Sequence, residues 1–411
     1  MGVPVSPTDP GPGCLAVSLD VSAVPAHPAG AGRYTLELAR ALLRRDDVAL
    51  TLIARRADGE RWRALRSTDG PVPPVVGPWA PDLRPSRLVW EQVGLPGRLR
   101  RAAVAVHHGP HYTMPERSPV PVVVTIHDCT FFDHPEWHER TKVLVFRRAI
   151  RVAARRAAVI VCVSRTTAER LHAVVDVRVP VVVAPHGVDH ARFTPTEPVP
   201  GADGSALGQL GLDPGRPLVT FIGTMEPRKG VADLVRAFDR VAGSQPDVQL
   251  VLAGQPGWGA DGVEQALARA AHADRVVRTG YVPDDTVPAL LRASAVVVYP
   301  SLEEGYGLPA LEALACGAPL ITTSGTAMEE VAGPAAVLVP PGRPDQLAEA
   351  LAAALGEPAG SVGPARRRVL GLQIAAGRTW AASAERHVEA YRRAAGQGPG
   401  GPAGRPPGPV G

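Results

Sequence analysis

The sequence predicts an α/β protein made of two Rossmann-like domains, each a parallel sheet covered by helices, facing each other across a cleft. Three observations carry this. A chain of 411 residues exceeds one ordinary hydrophobic core and fits two domains of usual size. Short β-branched runs that are apolar throughout alternate with Ala/Leu/Arg-rich helical segments, which is the pattern of strands buried on both faces. The alternation breaks once, between Phe193 and Arg216, where Pro, Gly, Asp and Thr give the composition of a linker or hinge.

In the first series the predicted strands are Leu15 to Val21, Val48 to Ile53, Ala102 to Val106, Val120 to Ile126, Val159 to Val163 and Val179 to Ala184. In the second they are Leu218 to Ile222, Val248 to Ala253, Val276 to Thr279, Ala295 to Tyr299, Pro319 to Thr322 and Ala336 to Val339, with helices such as Val231 to Ala242 and Pro344 to Leu355 between them. A last helical segment, about 367–395, repeats apolar residues at helical spacing (Leu372, Ala376, Trp380, Ala384, His387, Tyr391) and could cap either domain. The expected organisation is therefore a tail at 1–13, an N-terminal domain at 14–192, a hinge at 193–216, a second domain at 217–366, the helical segment, and a tail at 396–411. Both tails are Pro/Gly-rich with few apolar anchors, the composition of disorder.

Composition narrows the function classes. The formal charge of +4 comes from a small excess of Arg over acid, with almost no Lys and no basic run interleaved with aromatics. That suits an anionic small molecule or a membrane surface better than a nucleic-acid groove. Cys14, Cys129, Cys162 and Cys316 are scattered without CxxC spacing, so neither a disulfide framework nor a zinc site is expected, and a reducing cytoplasm is the natural home. No leader pattern or long apolar stretch is seen, so a soluble or peripheral protein is expected.

Glu303-Glu304-Gly305-Tyr306-Gly307-Leu308-Pro309-Ala310-Leu311-Glu312 is the most informative stretch. It follows a predicted strand, so Gly305 and Gly307 fall in a strand-to-helix turn at the carboxyl edge of the sheet, where doubly wound folds bind ligands. Pro309 suits the first helical turn, and the backbone N–H groups of Tyr306 to Leu308 are placed to receive an anion. Glu304 precedes the helix and Glu312 lies about one turn within it, so both carboxylates can face one cleft and accept hydrogen bonds from the hydroxyls of two linked sugars. An isolated E-x7-E would be an ordinary solvated helix face; the Gly-x-Gly-Leu-Pro context argues otherwise. A second anion site is suggested by Gly223-Thr224-Met225-Glu226-Pro227-Arg228-Lys229-Gly230, because two cations at a helix start oppose the helix dipole unless an anion lies between them. The bland alternative is a basic loop tip. No G-x-x-x-x-G-K-[ST] loop is present, which disfavours NTP hydrolysis.

In order, GTMEPRKG, LAGQPGWG, GYVPDD, YPSLEEGYGLPALEALACGAP and EEVAG resemble the donor-binding half of retaining GT-B glycosyltransferases of family four, in particular the mannosyltransferase-like branch. The resemblance implies a nucleotide diphosphate sugar as co-substrate, with Arg228 and Lys229 on the diphosphate, Glu304 near the transferred sugar and Glu312 on the ribose. Many relatives place Arg directly after Gly223, where this chain has Thr224, so diphosphate neutralisation would fall on Arg228 and Lys229. In the first half, VVTIHDxxFxxHPE resembles the acceptor-side domain of the same family, which implies His127 near the reacting sugar. On spacing alone, a His127 satisfied by Asp128 is about as good a reading. Gly30-Ala31-Gly32-Arg33-Tyr34 resembles the family's GIGRYT loop, whose glycines let the backbone approach the donor; a simple helix-start turn is the plainer reading. Pro185-His186-Gly187-Val188-Asp189 matches the NGVD turn, with His186 in place of Asn, and the resemblance implies that the segment at 367–395 crosses back to the first domain as relatives' C-terminal helices do.

His107, His108, His111, His134 and His138 do not form a metal motif, since His134-Pro135-Glu136-Trp137-His138 is not H-E-x-x-H and Pro135 disturbs the helix. With no D-x-D in the chain, neither a metal nor another cofactor is expected. Arg140 to Arg156 is basic and amphipathic; packing on the sheet is its ordinary reading, and peripheral contact with anionic lipid is the second. The expectation is a hexosyltransferase, leaning to GDP-mannose, acting on a glycan or lipid-linked acceptor. Its rivals are a nucleotide-sugar epimerase of the same architecture and a catalytically silent glycosyltransferase partner subunit.

Overall fold

The computed structural model describes residues 14–65, 75–213, 215–358 and 360–396. The expected disordered tails therefore lie outside the described residues, except for Gly396, which ends a helix. Seven parallel strands form the first sheet: β1 (Leu15–Asp20), β2 (Val48–Arg55), β3 (Val75–Ala80), β4 (Val106–Gly109), β5 (Val122–Ile126), β6 (Val159–Cys162) and β7 (Val181–Val183). They lie in the order β3-β2-β1-β4-β5-β6-β7. The second sheet has six: β8 (Leu218–Ile222), β9 (Gln249–Ala253), β10 (Val276–Gly280), β11 (Ser294–Tyr299), β12 (Leu320–Thr323) and β13 (Val337–Val339), ordered β10-β9-β8-β11-β12-β13. In each sheet the direction of winding reverses beside the first strand, at β1/β4 and at β8/β11. Loops leaving the carboxyl ends at such a reversal diverge and open a crevice. Two crevices face each other here.

Three details depart from the sequence reading. β3 was not expected; Gly77 and Pro78 interrupt its apolar run, and as an edge strand it tolerates the proline. The third predicted strand begins only at Val106, because Ala102 caps the helix Leu95–Arg101 and Ala103 takes a positive φ of 49°. Within 193–216 the chain forms the helix Ala202–Gln209, held by buried Leu207 and by Arg292, which grips Asp203 with two hydrogen bonds of 2.7 and 2.6 Å.

Apolar side chains of both units join in one buried core, with two further clusters in the first unit. The helix Val231–Ala242 shows how: Leu234, Val235, Phe238 and Val241 recur at helical spacing and are buried against the second sheet. Burial of each such side chain contributes about 1.5–3 kcal/mol. The helix starts at Gly230, whose φ is 65° and whose Cα lies so near the Pro300 carbonyl that a Cβ would stand 2.1 Å from its oxygen. Only glycine meets both demands.

The last two helices divide between the units. Val362–Ala376 packs on the helix Leu308–Ala315 of the second unit. Trp380–Gly396 packs on β6 and on the helix Ala31–Leu43 of the first. The crossing is fixed where the Val188 N–H donates to the Arg378 carbonyl at 3.0 Å, and a Cβ on Gly187 would strike the Trp380 nitrogen at 2.2 Å. Among the described residues no helix is long and apolar enough to cross a membrane.

Candidate active site

The two units meet at the turn that precedes Leu308–Ala315. A Cβ on Gly305 would lie 1.7 Å from the His127 carbonyl oxygen, so the turn rests directly on the end of β5. The Gly305 carbonyl accepts from Ser164 Oγ at 2.7 Å and Thr167 Oγ1 at 3.0 Å, and Tyr306 donates its hydroxyl to the His186 carbonyl at 2.8 Å. Nearby, the N–H groups of Arg165 and Thr166, at the start of the helix Arg165–Val174, donate to the Glu330 carboxylate of the other unit, both at 3.0 Å. An acid supplied to a helix N-terminus from across a cleft satisfies orphan donors and the helix dipole together.

Glu304 enters this junction as a paired anion. Arg228 Nη1 donates to it at 3.0 Å, Lys229 Nζ donates to its other oxygen, and Ser301 Oγ adds a bond of 3.1 Å. Burial by itself would raise this carboxyl, but the charges of Lys229 and Arg228 outweigh it and hold the group at about 2. Glu304 is therefore ionised at any physiological pH. Arg228 also donates to Glu226 at 2.9 Å. Both cations sit on the short turn Pro227–Lys229 after β8, with Gly223 at that strand's end making its N–H bond to the Ala253 carbonyl at 2.8 Å.

Glu312 is placed differently. It lines a narrow crevice with Arg33, Arg192, Leu308 and Trp380, and among the described residues its carboxylate accepts no hydrogen bond. Burial pushes it up to about 7, against the opposing pulls of Arg33 and Arg192. Arg33 spans the cleft, donating to Asp284 at 2.6 Å. Glu304 and Glu312 thus line two separate recesses on either side of the turn.

His127 is buried, and its Nε2–H donates to the Pro110 carbonyl at 2.8 Å. A carbonyl only accepts, so this bond fixes the tautomer and leaves Nδ1 as an acceptor. Burial keeps the ring below the usual imidazole range despite weaker pulls from Pro110 and Asp128, so the imidazole is neutral. His107, His108 and His387 are held in the core. Tyr34 bonds Thr125 at 2.8 Å and His387 at 2.7 Å; His108 bonds Tyr391 and Thr125, each at 2.8 Å; His107 bonds Ser18 at 2.9 Å. Among the described residues no group of three or more His, Cys, Asp or Glu is arranged to hold a metal ion.

The structure thus brings Glu304, Arg228 and Lys229 together and sets the His127 carbonyl against their turn, while the His127 ring packs among Tyr34, His111, Tyr112 and His186; Gly305, Tyr306, Gly307 and Leu308 form the turn between the recesses. Gly307 has a φ of 103°, and the N–H groups of Tyr306 to Leu308 make no hydrogen bond among the described residues. The Tyr306 hydroxyl is spent on the interdomain bond. Gly30, with φ 49°, begins the helix Ala31–Leu43, and a Cβ on Gly32 would meet Pro25 and Pro28 at 3.2 and 3.3 Å, so Gly32 serves the packing of its own loop. Sequence reasoning passed over Arg33, Arg192 and Asp284. Arg33 was signalled only by its place in the GAGRY loop and Asp284 by GYVPDD.

Comparison with known proteins adds to this geometry. Residues 216–357 match the family model described as "Glycosyl transferases group 1" and residues 28–192 match "Glycosyltransferase Family 4". The chain is 30% identical over 269 residues to the O-antigen chain mannosyltransferase B of Escherichia coli, covering 64% of this chain and 67% of that protein. Among solved structures it resembles the sucrose-phosphate synthase of Thermosynechococcus elongatus, with a TM-score of 0.71 at 21% identity over 92% of this chain and 98% of that one. It also resembles HepE of Anabaena, solved in complex with UDP and glucose, with a TM-score of 0.69 at 19% identity over 92% and 98%. Both likenesses concern the GT-B fold.

Proposed function

This chain belongs to glycosyltransferase family 4, and from that premise we propose that it transfers a hexose, with retention and without a metal, from a nucleotide diphosphate sugar to a glycan or lipid-linked acceptor. The observation that carries the proposal is the junction itself: an ionised Glu304 held by Arg228 and Lys229, on a turn that rests against the His127 carbonyl of the other unit. A diphosphate entering beside the free N–H groups of Tyr306 to Leu308 would compete with Glu304 for the two cations. Glu304 would then turn its lone pairs to hydroxyls of the transferred sugar. Arg228 and Lys229 stabilise the charge that develops on the leaving phosphate, and they are in place before the reaction begins. His127 Nδ1 offers an acceptor to the sugar. No side chain is assigned the part of covalent nucleophile; the leaving phosphate takes the acceptor proton on the same face, which gives retention. Glu312 and its neighbouring arginines receive the ribose.

The E. coli relative is named as a mannosyltransferase, which supports GDP-mannose as the donor, whereas HepE was solved with UDP and glucose. The four free cysteines suit a reducing compartment, and we place the activity in the cytoplasm, with peripheral membrane contact as an added feature of a lipid-linked acceptor. The test is turnover of GDP-mannose and UDP-glucose, with and without EDTA, followed by mass spectrometry, with the product's anomeric configuration read by NMR. Acceptor-independent formation of an epimer would establish the epimerase instead. No turnover with any acceptor, despite nucleotide binding, would make the chain a silent partner subunit.

A further inference from the structure

The Glu312 recess is bridged across its mouth. Arg33 of the first unit donates to the Asp284 carboxylate of the second at 2.6 Å, Arg192 donates to the Asp284 carbonyl, and the His27 ring lies 5.5 Å from that of Tyr281. We propose that these contacts bar the recess in the resting chain, and that a nucleoside diphosphate enters only after the bar has parted. The inference rests on the reading of Glu312 as the ribose contact.

The space behind the bar decides the order of events. The crevice lined by Arg33, Arg192, Leu308, Glu312 and Trp380 has a volume of about 10 Å3, room for about one water and too little for a ribose. The recess therefore has to open before a donor can enter it. Closure also leaves polar groups unpaired. Arg192 spends one terminal N–H on the Asp284 carbonyl, while its Nε is sealed from solvent with no hydrogen-bond partner, and the Glu312 carboxylate accepts no hydrogen bond among the described residues. A hydrogen bond left unmade at a buried donor disfavours the closed arrangement, and parting the units lets water or ribose hydroxyls complete both groups. The bar itself is built of exposed contacts. The Asp284 side chain is 50% exposed, its carboxylate lies 3.8 Å from Arg192 Nη2, and Tyr281 is 49% exposed. Such pairs are weak and are screened by salt. A few weak contacts set against unpaired groups make a closed state that is only modestly favoured, so a small change at the bar shifts the population of the parted form.

The test is stopped-flow tryptophan fluorescence of the full chain with GDP and with UDP, which separates association from dissociation; Trp380 lines the recess and reports its filling. A ligand that binds only the parted form has its association rate scaled by the fraction that is parted, with dissociation untouched. Asp284→Ala should therefore raise the association rate constant about two- to fivefold, the weight of one exposed ion pair, and leave the dissociation rate unchanged. Tyr281→Ala, which keeps the ion pairs, should shift association the same way. In about 0.5 M NaCl the gap between Asp284→Ala and wild type should narrow. The inference is overturned if association is unchanged or slower in both variants, if the gain in Asp284→Ala persists undiminished in salt, or if the change lies in dissociation, which would make Asp284 a contact of the bound donor. A variant that binds neither nucleotide while wild type binds one would overturn it as well. Failure of the wild-type chain to bind either nucleotide would overturn the transferase reading, and the gate with it.

Discussion

Replacing Glu312 by Gln should stabilise the unliganded protein at alkaline pH while weakening the donor. The carboxyl's ordinary value is 4.5 and burial lifts it to about 7 in the folded chain. Below 4.5 it is protonated both folded and unfolded and contributes nothing to pH dependence. As pH rises from there, the folded state holds the proton that the unfolded state has lost, so stability falls until the folded group has also ionised. A gap of about 2.5 units corresponds to about 3.4 kcal/mol at 1.36 kcal/mol per unit. That value already includes the attractions of Arg33 and Arg192, and because the carboxylate lines a crevice where solvent screens it, about 1.5 kcal/mol is the gain expected. For a domain of roughly 150–200 residues that is a rise of about 3–6 °C in Tm. Thermal unfolding of both proteins at pH 5 and pH 8 checks this. The two curves should nearly coincide at pH 5 and separate at pH 8, with Glu312→Gln the more stable. At pH 8 the variant should also show a raised donor KM with kcat little changed, because a ribose contact is made in the ground state and the transition state alike. A variant less stable than wild type by the same amount at both pH values would refute the argument that Glu312 is held in the fold against its own desolvation.

Three further outcomes are expected. Lys229→Ala should lower kcat/KM by about ten- to a hundredfold, the loss of one charge-assisted contact, and should raise the Glu304 carboxyl, since Lys229 makes the largest lowering contribution to it; unchanged kinetics would remove Lys229 from the diphosphate. Gly305→Ala places a Cβ 1.7 Å from the His127 carbonyl, so the units should part; solution scattering should show a larger radius of gyration with far-ultraviolet circular dichroism retained, and an unchanged radius would mean that the junction yields elsewhere. Arg33–Asp284 is a half-exposed pair whose own coupling should be under about 1 kcal/mol in a double-mutant cycle; a larger value measured on nucleotide affinity than on stability would mark the pair as a clasp over the donor.

Much of this was legible in the residues themselves. Strands such as Leu218–Ile222, the helix Val231–Ala242 and the turn around Gly305 and Gly307 follow from apolar runs, helical spacing and glycines within a window of a dozen residues. β3 was hidden because Gly77 and Pro78 break its pattern, and Ala202–Gln209 because a Gly- and Ser-containing helix reads as linker until Leu207 and Arg292 anchor it. Pairing across the chain is a different matter. The bond from Arg228 to Glu304 joins residues 76 apart, and that from Tyr34 to His387 joins residues 353 apart. Whether Glu304 is a free ligand or a paired anion, whether Tyr306 offers its hydroxyl or only its backbone, and whether Arg33 reaches Glu312 are set by how two sheets and a crossing helix are juxtaposed. Local sequence determines which residues stand at the carboxyl edge of each sheet, because propensity and periodicity act over a few bonds; only the tertiary structure decided which of those charges meet, because burial and Coulomb attraction depend on distance in space.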